Sequence, residues 1–189
     1  MNTKQCLSIG LVVWGWGLLG VSTSADDDGR RNASTGLVRE VRQATADLRD
    51  VTAAFAAGYA STGSCVSGPE EGAMGIHYAN GALIGDGVLD AERPELLIYE
   101  LRNGRLRLLG VEYLVLVADW HAHTASPPVL MGQQFQYTGS PNRYGLPPFY
   151  ELHVWAWKDN PHGMFVDWNP TVSCEEYEGD DAAGAHGSH

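Results

Sequence analysis

Residues 96–117 read LLIYELRNGRLRLLGVEYLVLV: two apolar runs either side of Asn103-Gly104. Asn-Gly between apolar runs is the strongest short-range hairpin signal, because a type I′ turn needs positive φ at both central residues. The spacing predicts one strand ending near Leu101 and a return strand from Leu106 to Val117. Counted outward from the turn, Leu101 faces Leu106, Glu100 faces Arg107, Tyr99 faces Leu108, Leu97 faces Gly110 and Glu95 faces Glu112. Glu100 reads as half of an ordinary cross-strand pair with Arg107. The return strand is apolar on both faces, as a central buried strand is. Glu112 interrupts it. A buried carboxylate costs several kcal/mol unless it is paired, protonated or bound to a metal, so this strand demands a partner from elsewhere.

Two other apolar strands carry the matching interruptions. Residues 72–78, GAMGIHY, alternate: Met74, Ile76 and Tyr78 point to the core, and His77 points away beside Gly75, whose missing side chain leaves room for the imidazole. In residues 150–157, YELHVWAW, Leu152, Val154 and Ala156 form one face, while Glu151, His153, Trp155 and Trp157 form the other. His77, Glu112 and His153 are therefore expected to meet in one site. Two neutral imidazoles and a carboxylate suit a divalent Zn, Fe, Mn or Cu ion with positions left open for water or substrate. Glu95 and Glu151 are additional candidate donors. Without a metal, Glu112 would orient a histidine as general base, or the three would only satisfy one another inside the core.

Around this site, Trp155, Trp157, Trp168 and Tyr144 are candidates for an aromatic ligand wall, core packing being the ordinary alternative for Trp on paired strands. Residues 139–148 are rich in Gly and Pro, as loops that line sites often are. His121 and His123 fall in a polar loop and read as solvated. Asn160 to Gly163 fits a turn with Pro second and Gly fourth. It should lead into a short return strand over 164–168, with Asp167 facing solvent or steadying the turn.

Toward the N-terminus, residues 36–57 show apolar positions at three- and four-residue steps with charges between them, closed by Gly58. This is one amphipathic helix, expected to lay its stripe on a sheet. Residues 59–71 read as a loop pinned by Cys65, and residues 26–35 as a flexible lead-in. Residues 1–25 carry Lys4, an apolar run and a small-residue exit at Thr23-Ser24-Ala25, the pattern of a secretory signal peptide. The acidic, His-containing tail from 178 to 189 should be disordered.

The expectation is one α+β domain over 36–177. A single N-terminal amphipathic helix packs on a mainly antiparallel, curved sheet or partial barrel. Export would put the protein in a secreted or periplasmic setting, where Cys65 and Cys174, the two cysteines left after signal removal, form a disulfide. Without residues 1–25 the chain has 11 basic and 23 acidic residues, a formal charge of −12. That sign disfavours nucleic acid and anionic membrane surfaces, and no stable membrane insertion is expected once the signal is gone.

The segments MGIHY, LLIYE, LLGVEY, ELHVWAW, NPHGMF and DWNPTVSC together resemble a family of short secreted proteins of unassigned activity, over roughly residues 37–174. The resemblance implies one domain and brings no substrate or cofactor with it. The chain has no Walker loop, nucleophile elbow, zincin helix, CxxCH haem site or dinucleotide fingerprint. The functional expectation is thus an exported protein with a divalent-metal site in an aromatic-lined pocket, possessing or lacking catalytic activity toward a small molecule. The alternatives are a non-catalytic binding module for a carbohydrate or small apolar ligand, and a structural envelope domain.

Overall fold

A computed structural model describes residues 24–68 and 70–178; most of the expected signal peptide and nearly all of the tail lie outside them. Among the described residues the strands are β1 Ala60–Gly68, β2 Gly72–Ala79, β3 Leu96–Arg102, β4 Arg105–Leu116, β5 Val129–Leu130, β6 Gln133–Gln134, β7 Gln136–Thr138 and β8 Phe149–Val154. Six form one antiparallel, curled sheet in the order β1-β2-β3-β4-β8-β7, and β5 pairs with β6 in a separate small ribbon. The expected α+β architecture holds, including the half-barrel curl and the Cys65–Cys174 disulfide, whose Cα atoms are 5.7 Å apart.

The helical segment is divided where one helix was expected over 36–57. Helix α1 spans Ser24–Ala44, a single 3-10 turn covers Asp47–Arg49, and α2 covers Val51–Ala56. The break has a local cause. Thr45, fully buried, turns its hydroxyl back onto the Val41 carbonyl at 2.6 Å, and Asp50 caps a new helix by accepting from the Thr52 amide. Side-chain oxygens that satisfy the backbone locally compete with helix continuation. The residues read as a flexible lead-in lie within α1. Gly58 closes α2 as expected, with φ at 93°.

Leu37, Val38, Val41 and Ala54 pack on one face of the sheet, against Ile76, Tyr78, Leu97, Tyr99, Val111, Tyr113, Leu152 and Val154. The opposite face is covered by loops from 139–148 and 155–172 and carries two smaller clusters, one around Ile98, Leu109 and Trp155, the other around Leu96, Leu114 and Phe149.

The hairpin turn is as predicted, with Asn103 and Gly104 at φ 52° and 69°. Its register follows the count as far as Tyr99 opposite Leu108, and then slips by one residue. Ile98 pairs with Gly110, Leu97 with Val111 and Leu96 with Glu112. A bulge adds an unpaired residue on one strand and resets which side chains share a face. Leu108 belongs to the helix-side core, and Leu109 to a cluster on the other face. Past the bulge Val111 takes the helix side, which leaves Glu112 on the loop-covered face. Glu95 therefore does not oppose Glu112. Gly110 permits the arrangement, since a Cβ there would meet the Val154 carbonyl oxygen at 2.3 Å.

Three further expectations are corrected. Residues 60–68, read as loop, form β1, an edge strand whose Gly and Ser content hides any alternation and whose pairing to β2 is itself irregular. Residues 164–168 do not form a strand; that segment crosses the sheet irregularly, anchored by the Trp155 amide on the Met164 carbonyl and by the Ala73–Asn169 bridge. Gly75 makes no room for His77. A Cβ on it would meet the Tyr99 carbonyl oxygen at 2.7 Å, so its absence serves a close approach of β2 to β3.

Candidate metal centre

Three strands deliver the centre. Glu112 on β4 is paired directly with His153 on β8 and, on its other side, with Leu96 on β3. His77 on β2 is paired with Ile98, two residues farther along β3. The glutamate thus stands between the two imidazoles on the loop-covered face. Its Oε2 lies 3.3 Å from His77 Nε2 and 3.7 Å from His153 Nε2. One donor atom from each of the three residues falls within 4.8 Å of the other two. Donors on a tetrahedral ion with bonds near 2.0–2.1 Å are about 3.3 Å apart, so closing on an ion asks for adjustments within rotamer reach. All three side chains are buried, His153 at 1% exposure.

A second carboxylate sits behind the centre. Asp167 Oδ1 is 3.3 Å from His153 Nδ1, and Gln136 Nε2 donates to the same oxygen at 2.8 Å. The sequence allowed Asp167 to reach a site but favoured a solvent-facing or turn-steadying role on a return strand over 164–168; the segment is irregular, so alternation does not mark its inward side. The carboxylate, His153 and a site at its Nε2 form the outer-partner arrangement that fixes tautomer and ring orientation in histidine-ligated metals. Both ring nitrogens of His153 are buried without a well-formed hydrogen bond; Glu112 and Asp167 approach at ion-pair distance only. Buried polar nitrogens rarely go unsatisfied.

The charges are strongly coupled. Burial opposes ionisation of Glu112, but the His153 charge and the hydrogen bond from His77 outweigh it and hold the carboxyl below its usual range. Burial likewise opposes a charge on His153, yet Glu112 and then Asp167 prevail and raise it to about 9. Burial also works against Asp167, and its contact with His153 Nδ1 keeps it low. Glu151, on the same face, accepts from the Thr138 hydroxyl, and burial followed by the Glu112 charge lifts it to about 7. Glu151 thus stands beside the centre as a carboxyl that is easily kept neutral.

The remaining candidates are dispersed. Trp155 is buried, its Nε1 donating to the Val166 carbonyl at 2.6 Å. Trp157 turns to the helix side, bonded to Thr45 Oγ1 at 3.0 Å and covered by the Arg49 guanidinium. Alternation fails there because β8 stops at Val154 and the Ala156 amide folds back onto the Val154 carbonyl. Trp168 lies under Arg143. The tryptophans do not share a platform, and of the proposed wall only Tyr144 lines the cavity that opens onto His77 and Glu112. His121 is held by the Tyr150 hydroxyl and the Thr124 carbonyl; His123 is exposed. Glu100 stands opposite Arg107 on the neighbouring strand as counted, but its carboxylate is satisfied by Lys158 at 3.4 Å, Arg102 at 3.8 Å and the Ser173 amide.

Glu95 is buried apart from the centre, where it accepts from the Leu114 amide at 3.1 Å. Burial raises its carboxyl to about 8 from an ordinary 4.5, the amide bond pulling partly back. Between those values the folded state holds a proton that the unfolded chain has released, so stability falls as pH rises through that window. At about 1.4 kcal/mol per unit the loss is at most roughly 4–5 kcal/mol. Glu95→Gln keeps an acceptor for the amide and is expected to flatten the stability profile between about pH 5 and 8. Urea unfolding at several pH values measures it, and an unchanged slope in the variant would remove Glu95 as the source.

The cavity beside the centre measures about 360 Å³. A larger, more open groove of about 820 Å³ lies elsewhere, beside Arg49, Trp157 and Lys158, and contains none of the centre's donors. Among the described residues no helix is long and apolar enough to cross a membrane. Comparison with protein-family models, curated proteins and solved structures gives no match.

Proposed function

We propose that this is an exported protein that holds one divalent transition metal on His77, Glu112 and His153, with the remaining positions of the ion turned toward the adjoining cavity. The observation that carries the reading is the convergence of two imidazoles and a carboxylate on a buried point, where His153 has no well-formed hydrogen bond at either nitrogen. Asp167 behind His153 supplies the outer partner that such ligands ordinarily have. The apolar N-terminal run and the disulfide support export. A metal-free general base is the weaker reading, because the carboxylates on either side of His153 favour its protonated form, a proton that a bound metal ion would displace.

A metal so placed would polarise an oxygen of a bound molecule or activate a water; the two-histidine, one-carboxylate set suits iron as well as zinc. The test is elemental analysis of full-length, tag-free protein refolded with a chelator and then equilibrated separately with Zn²⁺, Fe²⁺, Mn²⁺ and Cu²⁺. About one ion per chain is expected for at least one of them, with loss in His77→Ala, which leaves the tail histidines in place. Retention of none, or full retention by the variant, sinks the assignment.

A further inference from the structure

We infer that the cavity beside the centre takes a small carboxylic acid with an apolar body, its carboxylate on the metal and its hydrocarbon part along the sheet; this rests on the metal reading. Along the sheet, Glu112, Leu114 and Phe149 line the cavity in succession, with His77 and Leu96 beside them. Successive same-face residues of β4 are Glu112, Leu114 and Leu116, paired across β8 with His153, Glu151 and Phe149. The donors therefore occupy one end. Beyond them lies the apolar cluster of Leu96, Leu114 and Phe149, with Ile84 and Leu146 packed against it. A ligand that fits both ends has a single polar head and an aliphatic or aryl tail.

The head is anionic for reasons of charge. The whole chain carries a formal −11, so an anion enters only where cations gather. The metal is one. Arg143 is the other and the sole cationic side chain lining this cavity. Its guanidinium lies over the Trp168 ring at 5.7 Å, and among the described residues it has no carboxylate partner. Beside it, Tyr144 lines the same space, its hydroxyl directed at the Met74 sulfur at 3.6 Å and thereby at β2, the strand that carries His77. A phenol kept neutral, with burial pushing it up to about 12, has a proton to donate to a carboxylate oxygen. The volume, near the lower limit of the roughly 300–1,000 Å³ typical of ligand sites, admits a body of about six to ten carbons.

The experiment uses the full-length protein loaded with whichever of the four metals it retains, titrated calorimetrically with hexanoate, 1-hexanol and acetate. Hexanoate is expected to bind at least about tenfold more tightly than the alcohol, which lacks the charge, and than acetate, which lacks the tail. Stripping the metal is expected to weaken hexanoate by about tenfold or more, and Arg143→Gln, an exposed change, by a few-fold. Leu146→Ala, in the loop, is expected to narrow the gap between hexanoate and acetate while metal content stays the same. Full metal content with no hexanoate binding, or with equal binding of alcohol and acid, overturns the ligand class and leaves the metal site standing. Hexanoate binding that persists without metal overturns the placement of the head. Absence of both metal and hexanoate binding removes both readings.

Discussion

Replacing Glu112 with Gln is expected to give a folded protein that no longer retains its metal. The amide keeps the shape of the side chain and a carbonyl oxygen toward His77 Nε2, 3.3 Å away in the native protein, but it withdraws the one negative charge among the three donors. Second-sphere partners alone are worth about 10- to 100-fold in metal affinity, so loss of an anionic first ligand should exceed about 100-fold. Folding survives because His153 keeps Asp167 on its other nitrogen, and because removing a buried charge relieves a desolvation cost that offsets much of the lost attraction. His153→Ala is the harsher change. It leaves buried Glu112 with His77 alone and half-buried Asp167 with Gln136 alone, and removing one partner of a buried ion pair typically costs about 3–5 kcal/mol. Thermal unfolding with and without metal separates the cases: at 100 times its dissociation constant a ligand adds about 2.7 kcal/mol. That increment should be present in the native protein and absent from Glu112→Gln. A variant that still shows it would mean the ion, if bound, sits elsewhere. Asp167→Asn should fall between the two, weakening metal within the 10- to 100-fold range.

The second large effect concerns the Cys65–Cys174 bridge, which spans 109 residues of sequence. Closing a loop of about 100 residues restricts the unfolded chain by roughly 4.7 kcal/mol in the chain-entropy treatment. For a domain of this size each kcal/mol moves the melting temperature by about 2–4 °C, so the Cys65→Ser, Cys174→Ser double variant should melt roughly 10–15 °C lower. The bond joins edge strand β1 to the irregular segment that also carries Asp167, held otherwise by the Ala73–Asn169 bridge and the Glu100–Ser173 hydrogen bond. A drop below about 3 °C would show that those contacts, and not the covalent link, hold this part of the fold together.

Much of this was legible in the residues. Asn103-Gly104 fixed the hairpin, and the lone ionisable groups in three apolar strands identified His77, Glu112 and His153. An apolar strand cannot bury such groups singly, and that physical demand does not depend on knowing the pairing. What was not legible came from places where periodicity stops. The register could be counted only as far as Tyr99, because an unpaired residue within LLG carries no mark distinguishing it from its neighbours. Glu95 was consequently set opposite Glu112, when it in fact satisfies the Leu114 amide. Trp157 was put on the wrong face since β8 ends three residues before it. Asp167 was given a solvent-facing or turn-steadying role in preference to a place at the site, because its segment belongs to no strand and its partner is 14 positions away. The break after Ala44 depends on Thr45, one hydroxyl whose effect an apolar stripe does not register.

The bulge between Tyr99 and Glu112 also bears on inheritance. Were Leu109 lost by a single-codon deletion, the hairpin would regain unbroken alternation, and Val111 and Glu112 would keep the faces and the β3 partners that they have now. The centre would survive the loss. If the same residues instead paired from the turn without a bulge, Glu112 would fall on the side of Leu108 and the helices, away from His77 and His153. Every ligand would remain in the sequence, yet no site would exist; the centre thus depends on how one strand is paired, which an inventory of its residues does not register.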